Sequence, residues 1–143
     1  MKLLVINGPN LARLDMRDSA LYGSLNYEQL VALITSSATE LGFEADVRQS
    51  NDESTIISWL HEAADNKLPV IINPAAFTHY SYAIRDAAEM VTSPLIEVHL
   101  SNPLAREEFR HTSVISGIAS GTIAGFGPES YVLALRAMAT LVR

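Results

Sequence analysis

Three groups of side chains in this 143-residue chain could do chemistry. Glu97, His99 and Ser101 stand two residues apart, so in an extended segment they share one face. A carboxylate beside an imidazole fixes its tautomer and raises its basicity. From that triplet alone, an ordinary hydrogen-bonded pair near a sheet end is the favoured reading. A second group, Asn10, Arg17 and Tyr22, lies in a stretch from Asn7 to Ser24 that shows no helical or strand period. A third, Asn73 and His79, follows an apolar run. A lone loop tyrosine is usually a packing residue with a wet hydroxyl. A free phenol, with pKa about 10, is roughly 0.1% ionised at neutral pH and makes a poor base. Preferential stabilisation of the phenolate by about 3 to 4 kcal/mol changes that. An arginine in contact within a poorly solvated site can supply it, and Arg17 is the candidate.

Other chemistries find less support. His79, His99 and Glu97 are plausible metal ligands by type, yet no paired His-x-x-x-His spacing is present, and no metal is expected. No Gly-x-Ser-x-Gly elbow marks a serine nucleophile. Gly125-Phe126-Gly127 precedes the last helix rather than the first, so it suits packing better than a dinucleotide. A phosphoacceptor pocket needs an aspartate at the end of the third strand, where Asn73 stands. The absence of cysteine excludes disulfides, thiol catalysis and iron–sulfur clusters.

The elements that must position these groups alternate. Leu3 to Asn7 reads as a first strand. Asn26 with Gln29 forms a capping box for a helix carrying Leu30, Leu33, Ile34, Ala38 and Leu41, stopped by Gly42. Phe43–Gln49 reads as strand two, and Asp52 or Ser54 caps a helix ending near Asn66. Val70–Ile72 is a run suited to a strand buried on both faces, broken by Asn73-Pro74. A polar-tipped loop leads to Ser81, which caps a helix through Met90. Strand four is Leu95–Leu100, followed by a loop with a short helical piece, Leu104–Phe109. Strand five lies within Ile118–Phe126, and an amphipathic helix runs from Pro128 to the end. Five strand–helix units imply an α/β, flavodoxin-like fold: a parallel sheet in order 2-1-3-4-5 with helices on both faces. The connection after strand one is several times the usual 2 to 6 residues or so. It leaves the carboxyl end of a strand, where open α/β sheets bind ligands.

Composition sets the frame. At 143 residues with 48% hydrophobic and 18% charged content, one domain with a real core is expected over residues 1–143. A net charge of −6 argues against nucleic acid as partner but not against a small anion held by local arginines. No apolar run approaches the roughly 20 residues of a membrane span, and the amino terminus lacks a cleavable signal pattern. A soluble cytoplasmic protein is expected.

Several separated motifs resemble those of type II 3-dehydroquinate dehydratases. They are Asn7-Gly8-Pro9-Asn10-Leu11 with Arg13-Leu14, Arg17 and Tyr22-Gly23; Gln49-Ser50-Asn51; Asn73 through His79; Ile96 through Asn102; Arg106 through Arg110; and Gly125 through Tyr131. The resemblance covers nearly the whole chain. It implies a cofactor-free hydro-lyase that interconverts 3-dehydroquinate and 3-dehydroshikimate in aromatic amino acid biosynthesis. By the same resemblance Tyr22 is the base, Arg17 favours its ionised form, Asn10 positions a water at the enol or enolate, His99 is the acid, and Glu97 orients it. Leu100 and Ser101 hold the substrate carboxylate. Asn73, His79 and Arg110 bind hydroxyls, Asp86 reaches a neighbouring subunit's site, and Arg106 adds positive potential near Tyr22. The stretch at about 8–24 acts as a lid, and trimers assemble into a dodecamer. Ala12, Asp15, Asp52 and Ser54 depart from the family pattern. Asp15 can pair with Arg17 in an open state and slow closure. The rival class is a non-catalytic module that binds an anionic polyol, which has no need of a base and an acid on opposite sides of a ligand. A metal-dependent hydrolase is a weaker third reading.

Overall fold

The computed structural model describes Met1–Arg143. The apolar run at the amino terminus forms β1 (Lys2–Asn7), buried from Leu3 onward. Its alternate side chains divide the core into two layers. Leu3 and Val5 pack, with Ile71, Ile96 and Val98, against Leu30 and Ile34 of α2 (Tyr27–Glu40) and Leu135 and Met138 of α5 (Glu129–Leu141). Leu4 and Ile6 pack, with Val70, Ile72 and Leu95, against Ile56 and Leu60 of α3 (Glu53–Asp65) and Ile84 of α4 (Tyr82–Glu89). Helices therefore cover both faces, which is why the central strands carry continuous apolar runs.

The sheet is parallel throughout, in the order β2-β1-β3-β4-β5. Its other strands are β2 (Glu44–Gln49), β3 (Val70–Asn73), β4 (Leu95–His99) and β5 (Gly121–Ala124). The expected capping groups are in place. Asn26 and Gln29 form the reciprocal box of α2, Asp52 caps α3 through Ser54, and the Ser81 hydroxyl caps α4 through Ile84. No helix is long and apolar enough to cross a membrane.

Two stretches depart from expectation. The connection after β1 is not irregular: Leu11–Met16 forms 3-10 turns, and Ser19–Tyr22 forms a one-turn helix, α1, capped by Asp18. Leu11 and Leu14 are buried in the first core layer. Two apolar side chains three apart are too few to register as a period, yet they suffice to anchor the segment. The helical piece expected at Leu104–Phe109 is split into Pro103–Ala105 and Glu108–His111.

The carboxyl ends of β1 and β3 meet closely. The Gly8 amide donates to the Asn73 carbonyl at 2.8 Å. A Cβ at Gly8 would lie 2.6 Å from the Pro74 carbonyl oxygen. Backbone cannot yield as a flexible side chain does, so Gly8→Ala is expected to cost about 1 to 3 kcal/mol. A lowered urea midpoint checks this, and an unchanged midpoint would show that the crossing tolerates a methyl group.

Candidate active site

The connection after β1 carries its functional groups at the ends of its helical turns. Asn10 sits in the left-handed region at φ 71°, and its amide donates to Asn51 Oδ1 at 3.0 Å. Gln49 Nε2 donates to the same oxygen and to the Gly8 carbonyl, so the end of β2 steadies this turn. Tyr22 closes α1 and is 9% exposed. The next residue, Gly23, has φ +88° and abuts Pro128, whose Cδ lies 2.6 Å from where a Cβ would stand. Both ends of the segment are thus fixed against the scaffold.

Arg17 donates from its guanidinium to the Tyr22 hydroxyl. The guanidinium carbon lies 4.0 Å from the ring centroid, and that of Arg106 lies 5.1 Å away. Two cations therefore face one aromatic ring. Asp15 does not compete for Arg17 here. It pairs with Arg13 at 3.2 Å, on the exposed side of the turn.

Glu97 and His99 share one face of β4, and Glu97 accepts from His99 Nε2. Glu97 is fully buried. Its other donors are Thr78 Oγ1 at 2.5 Å, Ser113 Oγ at 2.9 and 3.1 Å, and Ser116 Oγ at 2.5 Å. Burial pushes the carboxyl up. The hydrogen bond and charge of His99, with the Ser116 and Thr78 hydroxyls, outweigh that and hold it below the usual carboxylate range. An ionised Glu97 fixes the proton on His99 Nε2 and leaves Nδ1 to meet a ligand.

Asn73 ends β3 beside Asn7 at the end of β1. Tyr131 of α5 joins them: its hydroxyl donates to Asn7 Oδ1 at 2.5 Å and accepts from Asn73 Nδ2 at 2.9 Å. Complete burial pushes the Tyr131 phenol up, which keeps it a neutral donor. Asn73 Oδ1 accepts from the Ala75 amide at 3.1 Å, so the amide orientation is set. His79 Nδ1 lies 2.8 Å from the Thr112 carbonyl. A carbonyl only accepts, so Nδ1 carries the proton and Nε2 is the free acceptor of the neutral ring.

Of the residues singled out from the sequence, all but Glu97 and Asp86 line one cavity of about 130 Å³ at the carboxyl ends of the strands. Asn10, Arg17 and Tyr22 come from the first connection; Asn73 and His79 follow β3. His99, Leu100 and Ser101 end β4, and Arg106 and Arg110 come from the loop beyond. Glu97 stands behind His99. Asp86 is exposed on α4 and does not line this cavity. Arg106 Nη1 donates to Ser101 Oγ at 3.1 Å, while its buried Nε has no hydrogen-bond partner. Three guanidiniums at one cavity, in a chain of net charge −6, make this a local anion site. Thr78, Ser113, Ser116 and Tyr131 were not recognised from sequence as site-supporting residues. Their hydroxyls act across 16 to 124 positions, and no local spacing marks them.

The family profile described as dehydroquinase class II matches residues 1–139. The chain belongs to the class II dehydroquinase family. The matched region contains every cavity-lining residue just named. Among relatives, the 3-dehydroquinate dehydratase of Mycobacteroides abscessus is 53% identical over 136 residues, 95% of this chain and 94% of that protein. The crystal structure of the type II dehydroquinase from Propionibacterium acnes superposes with a TM-score of 0.94 at 49% identity, covering 97% of this chain and 96% of that one. The type II dehydroquinase from Butyrivibrio crossotus superposes at 0.93 with 46% identity, over 96% and 97% of the two chains. The five-stranded parallel fold found here is therefore shared with a type II dehydroquinase over 96% of that chain.

Proposed function

We propose that this chain is a hydro-lyase that reversibly dehydrates 3-dehydroquinate to 3-dehydroshikimate, within the shikimate route to aromatic amino acids. Tyr22, as phenolate, takes the proton from C2 beside the ketone. The electron pair moves into an enolate on the C3 oxygen, which a water held by Asn10 supports. The enolate collapses to form the C1–C2 double bond, and the C1 hydroxyl leaves as water with the proton given by His99. One proton is taken and one is given, so the reaction is redox-neutral. Arg17 stabilises the charged Tyr22, and Arg106 adds positive potential there. Glu97 orients His99 and balances its charge. Leu100 and Ser101 hold the substrate carboxylate, while Asn73, His79 and Arg110 hold hydroxyls. His79 Nε2, an acceptor, suits a hydroxyl donor.

The observation that carries this reading is the pairing of a cation-held phenol with a carboxylate-held imidazole around one cavity. A base and an acid each typically contribute 10²- to 10⁴-fold. A lysine Schiff base is not required: Lys2 stands at the terminus and Lys67 in a turn. Residues 1–143 act as one catalytic domain, with the segment at about 8–24 as the lid. The protein assembles in the cytoplasm as a homo-oligomer, trimers within a dodecamer. Its exposed Asp86 then reaches a neighbour's site.

The test is to add 3-dehydroquinate to the purified protein in buffer containing EDTA and follow the ultraviolet absorbance of the conjugated product. A rise supports the reaction and its independence of free metal. No rise, with substrate still bound, favours the binding module. Arg17→Ala is expected to lower kcat much more than it weakens ground-state binding, because its interaction grows as Tyr22 carries charge. A change in KM alone would assign Arg17 to uniform substrate binding.

A further inference from the structure

The segment Thr112–Ser116 touches His79 directly and reaches His99 through Glu97. The Thr112 carbonyl accepts from His79 Nδ1 at 2.8 Å. The Val114 amide donates to the Thr78 carbonyl at 2.7 Å, and the Val114 carbonyl accepts from Arg85 Nη1 at 2.9 Å. Ile115 is fully buried in the second core layer. The segment is therefore pinned to the turn after β3 and to α4 independently of its hydroxyls.

Ser113 is the junction of this strap. Its Oγ accepts from the amides of Ile115 and Ser116 at 3.1 and 3.0 Å. It donates to Glu97 and lies 2.8 Å from Thr78 Oγ1. A serine has one proton and two lone pairs, so these bonds fix its rotamer. Ser116 adds a second hydroxyl to Glu97 Oε1. A fully buried carboxylate needs its lone pairs filled, and these hydroxyls fill those that His99 leaves.

We propose that Ser113, with Ser116, is a positioning residue for the acid: the pair holds the Glu97 carboxylate so that His99 keeps its Nε2 proton on Glu97 and gives the proton carried on Nδ1 to the departing hydroxyl. This rests on the reaction proposed above. Neither serine lines the cavity that holds the candidate base. Their removal therefore acts on the acid step, while the backbone bonds that hold His79 stay.

The experiment compares Ser113→Ala and Ser116→Ala with wild type in the 3-dehydroquinate assay, alongside urea midpoints. Each substitution removes a bond to a charged group, and Ser113→Ala also removes the acceptor of the Ile115 and Ser116 amides. Ser113→Ala is expected to lower kcat roughly 10- to 100-fold with KM changed by less than about twofold. Ser116→Ala, which leaves the turn at Ser113 intact, is expected to shift kcat in the same direction by a smaller factor. Should Ser113→Ala not fold, Ser116→Ala decides: an unchanged kcat overturns the role. A change confined to KM, or kcat unchanged in a folded Ser113→Ala, also overturns it. A wild type inactive on 3-dehydroquinate overturns the reaction and this role together, whereas an active wild type with indifferent serines overturns only this role.

Discussion

Tyr22→Phe is expected to cut kcat by roughly 10²- to 10⁴-fold while the protein keeps its fold. The substitution removes one oxygen and leaves the ring. That ring is 9% exposed and packed in the first core layer, where phenylalanine fills the same space. The oxygen's protein partner is the Arg17 guanidinium, which can return to solvent. Stability should therefore change by no more than about 1 kcal/mol. Both cations still meet an aromatic face, so the segment still docks. What disappears is the only atom placed to take a proton under two positive charges. Steady-state rates beside a urea titration check this. Near-normal turnover in a folded variant would remove Tyr22 as the base.

His99 is the second position with a large expected effect, and the choice of replacement decides what is learned. His99→Ala would leave Glu97 fully buried without its imidazole partner, and removing one member of a buried pair typically costs about 3 to 5 kcal/mol. The Thr78, Ser113 and Ser116 hydroxyls would offset part of that loss. His99→Gln is the cleaner probe. Its amide N–H can still face the carboxylate, but it has no proton to give at neutral pH. Turnover is expected to fall roughly 10²- to 10⁴-fold, with substrate binding largely kept. Calorimetric binding and product absorbance measured on one preparation separate the two effects. Full activity in His99→Gln would end its assignment as the acid.

Much of this architecture is visible in the residues themselves, because burial on both faces leaves a plain imprint. Val70–Ile72 has nowhere to be but a central strand, and the reciprocal caps at Asn26 and Gln29 fix where α2 begins. The grouping of Asn10, Arg17, Tyr22, Asn73, His79 and His99 follows from one rule, that strand ends of a parallel sheet converge. What escaped is non-periodic or long-range. The turns at Leu11–Met16 and Ser19–Tyr22 rest on two buried leucines and an Asp18 cap rather than a repeat. Asp15 chose Arg13 over Arg17 because the 3-10 turn brings those two together, a matter of a few ångströms that spacing alone does not reveal. The hydroxyls around Glu97 belong to loop serines and a threonine, residue types too common to stand out.

The hydroxyl of Tyr131 has a consequence beyond the cavity. It bridges Asn7 and Asn73, which are paired residues on adjacent strands, and it reaches them from the carboxyl-terminal helix, 124 positions away from Asn7. Sliding β3 against β1 by one residue would turn an asparagine to the opposite face and bring an isoleucine or a proline in its place. No apolar contact in the core discriminates so sharply, because Val70, Ile71 and Ile72 are nearly interchangeable in shape and hydrophobicity. The bridge works as a gauge of alignment. Only when the amino-terminal strand, the central strand and the last helix are all seated in one arrangement are three buried polar groups satisfied together. The strand ends that carry the cavity are thus checked against the far end of the chain, and misaligned compact states are penalised before any ligand arrives.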